Sequence, residues 1–145
     1  MTIRPMTLSD YPGLRALWLS CAGMGLNDVD DSERGLARFL GRNSGTCFVA
    51  EDGRLVGAIM AGHDGRRGYI YHTAVHPGWR HRGLGTLLVQ KALDALRAEG
   101  IAKVALVVFS RNAGGNAFWE KQGFTVRDDL TYRNRALRDL NRIDT

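Results

Sequence analysis

A chain of 145 residues, 44% hydrophobic and 24% charged, is read as one ordinary globular domain over residues 1–145, with enough apolar matter for a core. Its composition excludes a disordered, collagenous or disulfide-stapled protein, and no apolar run approaches the ~20 residues a membrane helix needs. The net charge of +5, with a pI near 9.7, suits a polyanionic partner, either nucleic acid or a phosphorylated cofactor.

The start, Met1-Thr2-Ile3-Arg4-Pro5, lacks the apolar stretch of a signal peptide. Cys21 and Cys47 stand alone in apolar surroundings and read as reduced, buried thiols, which implies a cytoplasmic protein. Thr2 to Met6 is a short first strand. Thr7-Leu8-Ser9-Asp10 opens a helix carrying Leu14, Leu17 and Trp18 at helical spacing. Gly23 to Asp31 is a break, and Ser32 starts a second short helix through Leu36, Phe39 and Leu40. Thr46–Ala50 and Arg54–Met60 form a hairpin about Asp52-Gly53. A glycine- and arginine-rich loop over 62–68 leads into a strand from Tyr69 to Val75.

Leu87, Leu88, Ala92, Leu93 and Leu96 mark a helix that Gly100 ends. Lys103–Phe109 is a largely apolar, central strand, Asn116–Gln122 a helix stopped by Gly123, and Phe124–Arg127 and Thr131–Leu137 are two weaker strands. The fold expected is α/β, with a mixed, largely antiparallel sheet flanked by helices.

The most informative segment joins the Tyr69–Val75 strand to the following helix. After the turn His76-Pro77-Gly78 comes Arg80-His81-Arg82-Gly83-Leu84-Gly85, ahead of Thr86. Glycines here let backbone N–H groups approach a ligand, and the helix start adds its own free donors. Arg80, His81 and Arg82 supply charge for a pyrophosphate or ribose phosphate. A dinucleotide-binding fingerprint would need a third glycine and a later acidic residue, and a P-loop would need Gly-Lys-Ser/Thr; neither fits.

Val75-His76-Pro77-x-x-Arg80-x-Arg82-Gly83-x-Gly85 resembles the acetyl-CoA motif of the GNAT N-acetyltransferase superfamily. A later block of Asn112, Ala117, Trp119, Gly123 and Phe124 is similar to a second pattern of that superfamily. The loop over 62–68 also resembles a small bacterial subgroup. The resemblance implies acetyl-CoA as acetyl donor and a sheet splayed between its fourth and fifth strands. It implies that the backbone of Ala74 and Val75 pairs with the pantetheine arm, and that the N–H groups from Arg80 to Thr86 hold the pyrophosphate. Asn112 then contacts the pantetheine or orders its loop, and Trp119 packs beside Phe118 or lines the cofactor slot.

The catalytic groups are less evident. Trp119 stands at the superfamily's tyrosine position, and an indole is no useful acid. Strand alternation puts Tyr69, Tyr71 and Thr73 on one face and Ile70, His72 and Ala74 on the other. By resemblance the tyrosine face looks toward the acceptor, so His72 is expected to be structural, unless the strand bulges. His72-x3-His76 lacks a third ligand, and no metal is expected. Asp28, Asp30 and Asp31 lie where the superfamily's acceptor site is lined: either a solvated loop or an attraction for a cationic amine.

Without an evident base, a lysine-like amine costs about 4 kcal/mol to deprotonate at pH 7.5, an α-amine only about 0.4. The expected reaction is acetyl transfer, by direct attack in a ternary complex, to a primary amine of a small molecule, an amino acid, a peptide or a protein N-terminus, with α-amines or other weakly basic amines preferred and Tyr71 or Tyr69 positioning a relay water. A non-catalytic acyl-CoA-binding module is the alternative. Neither nucleic acid nor membrane is expected as partner, and a homodimer is left open.

Overall fold

The structure is a computed structural model describing all 145 residues. Five strands form one sheet in the order β1 (Thr2–Pro5), β2 (Phe48–Glu51), β3 (Leu55–His63), β4 (Gly68–Val75) and β5 (Val104–Ala105). The first four pair antiparallel, and β5 runs parallel to β4. Helices α1 (Tyr11–Ser20) and α2 (Glu33–Arg42) cover one face. Leu14, Leu17, Trp18 and Leu36 pack there against Val49, Ala58 and Met60. Helix α3 (Leu84–Ala98) covers the other, with Leu84, Leu88, Ala92 and Leu96 against Ile59, Ala61 and Ile70. Helix α4 (Ala113–Lys121) lays Phe118 and Trp119 on the edge of that second core.

Local chemistry sets the boundaries. Ser32 caps α2, its Oγ accepting the Gly35 N–H at 3.0 Å. At the β1–α1 junction Asp10 takes the Thr7 N–H at 2.8 Å and pairs with both terminal nitrogens of Arg4, at 2.7 and 3.0 Å. Burial alone would raise the Asp10 carboxyl; the Arg4 and Thr7 bonds outweigh it and hold it below its ordinary range.

Three expectations about the C-terminal half are corrected. The strand expected over Lys103–Phe109 pairs only as Gly68↔Val104 and Tyr69↔Ala105, after which β5 leaves β4. This is the splay, and it leaves one edge of β4 open from Ile70 onward. Helix α4 begins three residues early because Asn112 caps it, Oδ1 accepting the Gly115 N–H at 2.9 Å; Gly114 and Gly115 had disguised the first turn. Phe124–Arg127 and Thr131–Leu137 form no strand. With β5 so short there is no ladder to extend, and the charged run at 127–129 and the polar run Arg133-Asn134-Arg135 interrupt the apolar alternation.

The final segment instead returns to the α1–α2 loop. Asn141 bonds both Asp28 carboxylate oxygens at 2.8 and 2.9 Å, and Asp144 accepts the Met24 and Leu26 N–H groups at 2.9 and 2.7 Å.

Candidate active site

Strand β4 carries the site, and its register breaks in the middle. Ile59 faces Thr73 and Ala61 faces Ile70, so Met60 alone stands opposite both Tyr71 and His72. This is a β-bulge, and it reverses the parity of the strand. Ile70 packs into the α3 core, whereas Ala74, four residues on, packs into the α1–α2 core. Tyr69, Tyr71 and His72 accordingly share the α1–α2 face. The alternation expected for His72 is thereby overturned: it lies on the tyrosines' side.

His72 is held there on two sides. Its Nε2 meets Asp31 Oδ1 at 2.6 Å, and its ring stands edge-on to Trp18 at 5.1 Å. Asp31 is buried; its other oxygen takes the Asn27 N–H at 2.8 Å. With Nε2–H bonded to Asp31, Nδ1 is left as the acceptor, and it makes no hydrogen bond within the protein. The imidazole retains a narrow exposure of 15%. Sequence reasoning missed this pair because alternation cannot reveal a bulge. The available signal was Tyr71-His72-Thr73, a polar triplet inside an otherwise apolar strand.

Tyr71 packs edge-on against Phe39 at 5.4 Å and lies 4.6 Å from Tyr69, centroid to centroid. Partial burial, reinforced by Tyr132 and, for Tyr71, by Asp30, holds both phenols above their ordinary range. Both therefore stay protonated near neutrality, which leaves each hydroxyl able to donate. They line an open cleft of about 1660 Å³ that runs along β5 to Trp119. Trp119 itself is locked edge-on between Phe118 and Phe124, at 5.0 and 5.3 Å.

Along the open edge, the His76 N–H donates to Val56 and fixes the pairing phase. The backbone groups of Ala74 face β3, and those of Val75 face the gap, where Arg80 Nε reaches the Val75 carbonyl at 3.3 Å. Thr73 Oγ1 is buried with no partner. Beyond the Pro77–Trp79 turn, the six N–H groups from His81 to Thr86 have no acceptor in the protein. His81 and Gly83 both adopt positive φ, 63° and 80°, and curl this run toward the start of α3. Arg82 stacks over Trp79 at 4.9 Å, its charge left to solvent. Unused donors, a helix start and adjacent arginines suit a diphosphate. Asn112 caps α4, and Asn116 Nδ2 bonds the Phe109 and Asn112 carbonyls, so both order the loop after β5.

The three aspartates do not form one patch. Asp28 is tied to the C-terminal segment, and the Asn141 bonds hold its carboxyl below its ordinary range. Asp31 serves His72, and Asp30 stays exposed near Tyr71, bonded to Asn27 Nδ2 at 3.1 Å. Both thiols are buried, and burial pushes Cys47 up to about 11. No group of metal-ligating side chains forms, and no helix is long and apolar enough to cross a membrane.

Comparison with known proteins agrees with this geometry. An acetyltransferase of Pectobacterium atrosepticum is 32% identical over 140 residues, covering 96% of this chain and 98% of its own. Among solved structures, Ard1 from Thermoplasma volcanium superposes with a TM-score of 0.76 at 20% identity, over 87% of this chain and 83% of that one. The PaiA N-acetyltransferase from Thermoplasma acidophilum, solved with coenzyme A, gives 0.76 at 20% identity, over 89% and 92%. The profile of the acetyltransferase (GNAT) family matches residues 11–124, and the chain belongs to that family of acetyl-CoA-dependent N-acetyltransferases.

Proposed function

We propose that this acetyltransferase acts on a primary amine by direct attack in a ternary complex, with the His72–Asp31 pair receiving the amine's proton. The observation that carries the reading is the β4 bulge, which brings His72 onto the same face as Tyr71 with Nδ1 free. Acetyl-CoA lies with its pyrophosphate on the N–H run from His81 to Thr86 and its pantetheine along the open edge at Val75. The amine nitrogen bonds the thioester carbon, the C–S bond breaks, and the sulfur leaves as thiolate. The amine proton passes to His72 Nδ1 through a water held by Tyr71 or Tyr69. Asp31 orients the imidazole and stabilises the imidazolium that forms, the role of the carboxylate in any such pair.

The thiolate needs little help. If its pKa resembles the ~8.5 of cysteine, protonation at pH 7.5 is worth only about 1.4 kcal/mol, so tryptophan in place of tyrosine is tolerable. With a base at hand, restriction to weakly basic acceptors loses its premise. Release of CoA from acetyl-CoA across a panel of amines, amino acids and N-terminal peptides tests the reading. Turnover with at least one primary amine is expected. Tight CoA binding without turnover across the panel would favour the non-catalytic module instead.

A further inference from the structure

We propose that the acceptor is an amine that also carries an anionic group, a carboxylate or phosphate, received by Arg42, Arg67 and Arg133 at the mouth of the cleft. The inference deepens the acetyl-transfer reading above and rests on it.

Three segments far apart in sequence contribute these arginines to the lining of one cleft, the last turn of α2, the β3–β4 loop and the C-terminal segment, and the only hydrogen bond among their guanidinium groups is from Arg67 to the Arg66 carbonyl at 3.5 Å. None of the three takes part in an ion pair. Other arginines on the same cleft are accounted for, Arg97 by Asp94 at 2.9 Å and Arg127 by Asp129 at 2.8 Å. The nearest lining carboxylate to Arg67 in sequence is Asp64, and its Oδ1 already accepts the Arg66 and Arg67 N–H groups, at 2.8 Å each. The lining carboxylates Asp64 and Glu120 pair with none of the three and are outnumbered by the lining arginines and Lys103, and such an excess of positive charge favours an anionic ligand. One solvated helix face would not explain it, because each charge arrives on a different element.

The walls between these charges are aromatic. Phe39, Tyr69 and Tyr71 are packed together, and Tyr132 is close enough to both cleft tyrosines to raise their phenols. The His72–Asp31 pair lies outside the cleft's own lining, beside its Tyr71 wall. Asp30, exposed, and the His72–Asp31 pair adjoin Tyr71 and suit the amine; the arginines suit the anion. The three-aspartate cluster supplies no competing acidic mouth, since Asp28 and Asp31 are committed elsewhere.

Matched acceptors test this: phenethylamine, phenylalanine, which adds a carboxylate, and tyramine O-phosphate, which adds a phosphate. The expected result is a kcat/KM at least tenfold higher for an anionic member than for phenethylamine, declining with added salt. Which anionic member wins identifies the source of the charge. In Arg42→Glu/Arg133→Glu the anionic-to-neutral ratio should fall at least tenfold, mainly through KM. A ratio near one in the parent protein, or one unmoved by charge reversal, overturns the proposal. Calorimetric binding of N-acetylphenylalanine and N-acetylphenethylamine to the CoA complex separates the two readings. A tenfold preference for the anionic product without turnover upholds the anion site and rejects acetyl transfer. Turnover with equal product affinities does the reverse.

Discussion

Gly83 and Gly85 stand two residues apart at the start of α3 for two different reasons. Gly83 holds φ at 80° in open space, so a side chain there is strained by conformation. At Gly85 an added Cβ would lie 3.2 Å from two ring atoms of Phe118, so its bareness serves the packing of α4 on α3. Gly85→Val should therefore lower the thermal midpoint and push α4 away. Gly83→Val should cost about 1–2 kcal/mol in the left-handed region and turn the N–H run off its aim. CoA affinity by calorimetry should fall at least tenfold in Gly83→Val. Unchanged affinity in a folded Gly83→Val protein would remove the pyrophosphate from this turn. Arg82→Ala should lose less, and the loss should shrink with salt, because the guanidinium stacks on Trp79 and faces solvent.

Among the elements, the salt-bridged start of α1 makes a pH prediction with a definite sign. The Asp10 carboxyl is held below its ordinary range in the folded protein. Its contribution is thus fully present above the unfolded value near 3.9 and is lost as pH falls through the lower folded value. Asp10→Asn should be less stable by about 1–2 kcal/mol at pH 7, and the difference should close in acid. A gap in denaturation midpoint that persists below pH 2 would assign it to packing.

Elements governed by local pattern were legible in sequence: the Asp52-Gly53 hairpin, the α3 stripe and the glycine turn that opens it. Elements decided by tertiary pairing were not. Lys103–Phe109 has strand composition, yet β5 finds only two partners because the sheet splays. The bulge at Tyr71–His72 depends on Met60 opposite, which no local period encodes. That one-residue slip moved His72 from one face of the sheet to the other, and with it the reading of the catalytic base.

At the scale of the molecule, the chain closes on itself around the cleft. The C-terminal segment carries Tyr132 and Arg133 over the tyrosines and is then fastened to the α1–α2 loop through Asn141, Ile143 and Asp144. That same loop supplies Asp31 to His72, so the site joins both ends of the sequence. The turn proposed for the donor and the cleft proposed for the acceptor lie at opposite ends of β4, with the bulge between them. The most direct test of this arrangement is kcat/KM against pH at saturating acetyl-CoA, for the parent protein and His72→Gln with one good acceptor. The account predicts a kcat reduced by about 100-fold or more in His72→Gln, a limb rising with the acceptor amine's own ionisation in both proteins, and unchanged CoA affinity. A His72→Gln protein with the parent's rate would contradict it.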